Sequence, residues 1–353
     1  MERESKEMSP NMKRCMLVLN CIMLAIGIGG GPLVMRLYYL HGGKSIWLST
    51  WLETAGWPVM IVPLLIAYFR RRAVHPKLFL IDFNSFCYAS ITGVIAGLGD
   101  YCYAYGVKHT EVSISSLILA TQLGFTALFA FILVKLKFTP YSINAIVLLT
   151  FGAAVLALHA SNDKPPGESR SQYYLGWSLT LAASALFALM LPMIELTYKK
   201  AKQSVNYTLV LEIQLVLSLS ATILCTIVML ASGDYKRYAK EMEAYELGKG
   251  MYIVVLICNA IVWQFFFVGA TGVVYYGSSL LSGIIITLAL PVTEIGAVIF
   301  FHEQFQSEKG VSLVLSIWGF VSYFYGEFRV MKKQKKSEKK ATPKLLDMDA
   351  PLP

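Results

Sequence analysis

Charge is scarce in this chain: only 15% of its residues are Asp, Glu, Lys or Arg, against 56% that are hydrophobic. With a mean hydropathy of +0.56, such a composition would be hard to keep in solution. Polar helix faces are missing too, and the run from Ile143 to Leu158 reads as apolar all round, where a soluble helix would show one wet side. The six cysteines, at 15, 21, 87, 102, 225 and 258, all fall in or at the edge of apolar stretches and show no CxxC spacing, so neither a disulfide framework nor a zinc site is implied. No metal-ligand cluster, phosphate-cradling glycine loop or nucleophile elbow is present, so the residues point to no enzyme, cofactor or metal. No cleavable signal peptide is expected, because the first fourteen residues are charged and the apolar run after them is long enough to stay as a span.

What the chain does have is apolar length. Ten stretches of about 20 residues are placed near 15–38, 46–68, 84–106, 112–134, 141–160, 174–198, 206–232, 250–274, 279–301 and 308–328. A hydrocarbon core about 30 Å thick needs about 20 helical residues to cross it, so each stretch can span a bilayer. With ten spans both ends share one side, and that side holds about two-thirds of the 31 Lys and Arg residues. By the positive-inside rule both termini are cytoplasmic. The basic segment from Lys332 to Lys344 is expected to be solvated beside anionic lipid, and without interleaved aromatics it is no nucleic-acid site. On the other side, the loop holding Lys236, Arg237 and Lys240 also holds Asp234, Glu241, Glu243 and Glu246, and a short interfacial helix is expected there.

The chain repeats itself. Gly31-Pro-Leu-Val-Met pairs with Leu191-Pro-Met-Ile-Glu, Ser115-Ser-Leu with Ser278-Ser-Leu, and Phe138 to Gly152 with Phe305 to Gly319, in the same order. Two halves of five spans follow, and an odd number per half inverts the second in the membrane. Inverted repeats are a transporter architecture, with the substrate near the midplane between them. The predicted organisation is therefore an all-α integral membrane protein of ten transmembrane helices in two inverted five-helix repeats. Residues 1–14 form a cytoplasmic tail, 15–160 the first repeat, 161–173 an extracytoplasmic linker, 174–328 the second repeat and 329–353 a basic cytoplasmic tail.

The stretches Gly30-Gly-Pro-Leu-Val-Met-Arg-Leu-Tyr-Tyr, Gly42-Gly-Lys-Ser-Ile-Trp, Leu211-Glu-Ile-Gln and Leu290-Pro-Val-Thr-Glu carry a resemblance, as does Glu308 through Glu327. Over residues 12–330 the chain resembles the plant purine permease family of the drug/metabolite transporter superfamily. The resemblance implies a ten-helix fold and proton-coupled uptake of adenine, cytokinins and related heterocycles. It also implies a plasma-membrane location, with an endomembrane as the alternative.

The side chains inside the spans narrow the substrate without that resemblance. No Lys or Arg lies near the middle of a span; Arg36 and Lys108 sit toward ends, where long side chains reach the interface. A carrier of phosphates would need a fixed cation, so a neutral or weakly cationic solute is expected. The spans hold Asp100, Tyr101, Gln122, Trp263, Gln264 and Glu294 instead, and these are the predicted substrate-binding residues. At the spacing that joins Ser115 to Ser278, Asp100-Tyr101 falls on Trp263-Gln264. Aromatic faces stack on a flat ring, and an amide can both donate to and accept from a purine edge. Interfacial anchoring by Trp263 and interhelical bonding by Gln122 and Gln264 are the competing roles.

Among the carboxylates, Glu195 is expected to pair with Lys199, and Glu212 either to pair with Lys200 or Lys202 or to reach the site. Glu53 is deeper and can bond to neighbouring helices. Glu294 is the leading candidate to carry a coupled proton and Asp100 the second, because Glu294 sits mid-span, three residues after Pro291. A low-dielectric position disfavours its charged form and lets it cycle between charged and neutral. The resulting expectation is proton-coupled import of a flat heterocycle through the bilayer. Its rivals are an exchanger of another small metabolite and a non-transporting membrane receptor.

Overall fold

A computed structural model describes residues 9–72, 77–110, 115, 118–119, 121–159, 169–202, 205–301 and 307–348, and these contain helices and no strand. In chain order the α-helices are α1 (Pro10–Leu40), α2 (Ile46–Thr54), α3 (Ile61–Arg71), α4 (Phe83–His109), α5 (Gln122–Val134) and α6 (Pro140–His159). Then come α7 (Arg170–Lys200), α8 (Tyr207–Ser232), α9 (Tyr238–Ala244), α10 (Lys249–Tyr276), α11 (Ser279–Phe301) and α12 (Ser307–Met348). Among the described residues six segments are long and apolar enough to cross a membrane: α1, Ile46–Arg71, α7, α8, α10 and Gly310–Val330 within α12. Shorter apolar helices cover Gln122–Val134, Pro140–Gly152 and Ser279–Ala289. Helices suit this solvent because hydrocarbon offers no partner to a backbone N–H or C=O, and a helix satisfies both internally.

Local signals set the helix ends. Ser9 caps α1, Ser169 and Gln172 close a reciprocal capping box at the start of α7, and Gly233 ends α8 in the left-handed conformation. Asp82 caps α4 by accepting from the Ser85 backbone and hydroxyl. Burial works to raise the Asp82 carboxyl, but those bonds outweigh it and leave the group below the usual carboxylate range.

Two features depart from the sequence reading. The second apolar stretch is not one helix: α2 stops at Thr54, a 3₁₀ turn covers Trp57–Met60, and α3 begins at Ile61. The break falls where α10 comes close, since a Cβ on Gly56 would run into the Ala260 carbonyl, and Pro58 has no N–H to continue a helix. The basic tail does not leave the last helix at residue 328, because α12 runs on to Met348. A Lys- and Glu-rich segment favours helix over coil. Of the expected linker, residues 161–168 lie outside the described residues, as do 112–114, 116–117 and 120 of the fourth stretch and Phe305 of the third repeat match.

The most extensive helix contacts are α1 on α10 and α4 on α7, followed by α12 on α6 and α4 on α8. Close approach makes the first of these possible. A Cβ on Gly27 would meet the Phe266 backbone, one on Gly269 the Leu24 backbone, and one on Gly272 the Asn20 amide. Small residues let two helix backbones come together where lipid offers no hydrophobic drive. Gly269→Val is expected to wedge α1 from α10 and cost about 1–3 kcal/mol of stability. Thermal unfolding of the purified protein in detergent would read this as a lower midpoint, and an unchanged midpoint would show that the contact bears no strain.

Candidate functional site

Glu53 lies in the last turn of α2 and Asp100 lies in α4, and both residues are 0% exposed. Their carboxyl groups face each other within hydrogen-bonding reach. None of the four oxygens has another hydrogen-bond partner. Among the described residues no Lys, Arg or His acts on either group. The glycines of α4 put Asp100 here: a Cβ on Gly93 would strike the Leu217 carbonyl of α8, and Gly97 packs on Ala221. That approach brings in Cys225 and Thr222, whose hydroxyl bonds Thr54 at 3.1 Å. Tyr39 of α1 and Tyr103 of α4 complete the surroundings.

An aromatic wall adjoins the two acids. The Tyr103 ring, three residues past Asp100, meets Trp263 edge-on at 5.9 Å and Phe187 at 6.4 Å. Trp263 is buried, its indole lies against Gly31, and its Nε1–H has no partner. Gln264 is buried beside the α2–α3 break, its Nε2 points to the Met60 sulfur at 3.8 Å, and its Oε1 is unpaired. Asn259, one turn earlier on α10, also holds a buried, unpaired Oδ1. Donors and acceptors buried without partners are costly, and their presence on the helix that carries Trp263 is the pattern of a small-molecule site.

The other predicted residues separate. Neighbours on a helix point about 100° apart, so Tyr101 turns away from Asp100 and stacks on Trp47 at 4.1 Å. Both rings line a separate cavity of about 210 Å³ that also touches Lys44, Lys108, Arg237 and Glu241. Gln122 is buried with its Nε2 unpaired, on α5, which packs against α7 and α11. Glu294 belongs to α11, but its side chain and that of Pro291 lie outside the described residues. Thr293 beside it donates to the Ile28 carbonyl at 3.1 Å and ties α11 to α1.

The remaining buried carboxylates are compensated. Glu195 takes Lys199 at 3.0 Å, as expected, and also accepts from the Ser279 N–H and hydroxyl at the start of α11. Glu212 pairs neither with Lys200 nor with Lys202 among the ion pairs described. It accepts from the backbone N–H of Leu80 at 2.6 Å and of Ile81 at 2.9 Å, and from Arg71 at 3.3 Å. At the other end of the bundle, Glu241 of α9 accepts from the hydroxyls of Tyr38 and Tyr252, and Glu246 reaches His41 at 3.1 Å. The loop expected to hold a short helix does so, and that helix closes over the ends of α1 and α10.

Sequence reasoning passed over Tyr103 and the partnering of Glu53 with Asp100. One signal for Glu53 was available: Leu52-Glu53 in the second stretch matches Leu211-Glu212 in the seventh. Glu212→Ala is expected to take the carboxylate away from Arg71, which keeps the Leu78 carbonyl, and from the Leu80 and Ile81 N–H groups, and to cost about 1–3 kcal/mol. Glu212→Gln, which keeps an acceptor, should lose less. Thermal unfolding of the two variants side by side checks the order, and equal losses would mean that the ion pair alone matters.

A family model described as purine nucleobase transmembrane transport matches residues 15–335. The chain is 51% identical to Purine permease 3 of Arabidopsis thaliana over 90% of its own length and 92% of that protein. It is 47% identical to Purine permease 2 of the same plant, over 92% and 95%. Probable purine permease 11 of the same plant is 35% identical over 87% and 81%. One solved crystal structure superposes with a TM-score of 0.60 at 13% identity, covering 90% of this chain and 99% of that one, which shows a shared fold alone.

Proposed function

We propose, from the premise that this chain belongs to the plant purine permease family, that it imports purine nucleobases and related neutral heterocycles such as cytokinins together with protons. The chain is a multi-pass membrane transporter of the purine nucleobase class and not an enzyme. In the proposed mechanism two inverted five-helix halves, 15–160 and 174–328, alternate access to a midplane site. The plasma membrane is the proposed host, with both termini cytoplasmic.

The observation that carries the substrate reading is the set of buried, unpaired polar atoms on α10, at and next to the Trp263 ring, with one more on α5. Trp263 Nε1 and Gln122 Nε2 can donate, and Gln264 Oε1 and Asn259 Oδ1 can accept. A purine offers complementary acceptors and donors on its edge and a face for stacking. Phosphate-bearing solutes fit poorly, because the acids around Tyr103 have no cation beside them among the described residues.

Packing supports the repeats. Exchanging the halves turns the α1–α10 contact into the α7–α4 contact, and these are the two most extensive in the bundle. The same exchange carries Gly27 on Phe266 to Phe187 on Tyr103, which are in ring contact. It also carries α5 on α7 to α11 on α1, another observed pair. Closing groups stand at both ends: Glu195 and Glu212 at the end where α8 begins, and Glu241 at the end where it stops.

Labelled adenine should accumulate in cells expressing the protein and stop accumulating when a protonophore is added. Binding without uptake would favour a receptor, and competition by nucleotide sugars would favour an exchanger. Trp263→Ala and Gln122→Ala are each expected to weaken apparent affinity by about 1–3 kcal/mol. Unchanged affinity in both would remove the pocket from α5 and α10.

Asp100 and Glu294 are the acids proposed to carry the proton. Glu294→Gln, with surface expression measured, should lose gradient-driven accumulation to a greater extent than adenine-for-adenine exchange. Full accumulation would end the assignment of Glu294.

A further inference from the structure

Among the described residues five buried carboxylates can be compared, and the chain treats them in two ways. Glu195, Glu212 and Glu241 each receive hydrogen bonds, from a lysine and a serine, from an arginine and two backbone N–H groups, and from two tyrosine hydroxyls. Glu53 and Asp100 receive none of these, although both are fully enclosed. The contrast is sharpest between Glu53 and Glu212, which occupy matching Leu-Glu positions of the two halves. One faces a cation and two donors, and the other faces a second acid.

Removing a carboxylate from water without a partner is expensive, and two carboxylates side by side with no cation cannot both stay charged. One proton held between them removes the repulsion and supplies the missing hydrogen bond. We propose that Glu53 and Asp100 share a single proton and act as one unit, so that Glu53 belongs to the coupling machinery together with Asp100. The proposal rests on the proton-coupled uptake proposed above and, of the two acids named there, says how Asp100 holds its proton: jointly with Glu53. The proton is taken from the solution on the side to which the pair is open and released on the other side; no other bond is made or broken.

The groups facing the pair are Tyr39 from α1, Cys102 and Tyr103 from α4, and Cys225 from α8, while α10 contributes no titratable side chain to it. Position also links the pair to substrate. Tyr103 faces Glu53 and packs on Trp263, whose buried Nε1–H is unpartnered. A ring bound at that wall would lie next to the acids. Motion is available as well, because α2 ends one residue after Glu53 and the chain breaks at Ala55 and Gly56. Loss of the proton sets two charges against each other across the α2–α4 contact, and the break lets α2 yield.

The test uses the full chain in proteoliposomes, with labelled adenine as the probe. Gradient-driven accumulation is measured across a range of pH and normalised to each preparation's own counterflow of labelled against unlabelled adenine. Glu53→Gln and Asp100→Asn each leave one acid without its charged neighbour, so the pH midpoint of accumulation is expected to move to lower pH by about one unit or more in both. In the double variant the normalised accumulation is expected to fall to the level seen without a gradient. A midpoint unmoved by Glu53→Gln, or uphill accumulation by the double variant, would overturn the pair. If the double variant fails to fold, the two single variants decide. Wild-type protein that exchanges adenine but never accumulates it would overturn the coupling reading itself, a result separate from any behaviour of the variants.

Discussion

Hydrocarbon supplies no hydrogen bonds, so every polar group that this chain places between its helix ends must find its partner within the protein. Most do so in simple ways. Thr92, Thr180, Thr197, Thr222 and Thr287 bond the carbonyl one turn back, and Asn20 bonds Met16. Glu195 and Glu212 are met by cations and by N–H groups at the ends of neighbouring segments. Against that background polar atoms are left over in several parts of the bundle, and among them are the two facing acids, the Trp263 indole N–H and the Asn259 and Gln264 amide oxygens of α10. Atoms of this kind are the ones a bound solute can satisfy.

The same solvent governs how the helices associate. Lipid tails are as apolar as leucine, so burying a leucine between helices gains little, and contact depends on how near the backbones can come. Gly27, Gly269 and Gly272 allow α1 onto α10, and Gly93 and Gly97 allow α4 onto α8. These glycines also place the site. Gly31 makes room for the Trp263 indole, and the approach of α4 to α8 sets Asp100 opposite Glu53. Packing and site are therefore one construction, and a substitution in the glycine contacts acts on both.

Each end of the bundle is held by carboxylates, with different partners. Where α8 begins, Glu212 gathers the segment at Leu80 and Ile81, and Glu195 caps α11. Where α8 stops, α9 is fastened over α1 and α10 through Tyr38 and Tyr252. Such contacts are local and polar, and water can replace them. The glycine-lined contacts in the middle have no such substitute.

Class, helical content and family were legible in the sequence, because hydrophobic length and the Gly-Pro and Leu-Glu-Ile-Gln stretches depend only on neighbouring residues. The pairing of Glu195 with Lys199 was legible for the same reason, since four residues on a helix bring side chains together whatever surrounds them. Tertiary structure decided the rest. That Asp100 and Tyr101 face different spaces, that Glu212 turns to Arg71, and that α2 breaks at Gly56 all depend on which helix lies alongside. Glu53 alone is an acid in an apolar stretch; the pair with Asp100 exists only because two segments nearly fifty residues apart are pressed together. Local chemistry is written along the chain, whereas the environment of a buried charge is set by residues distant in sequence, and a single chain read in order does not contain that distance.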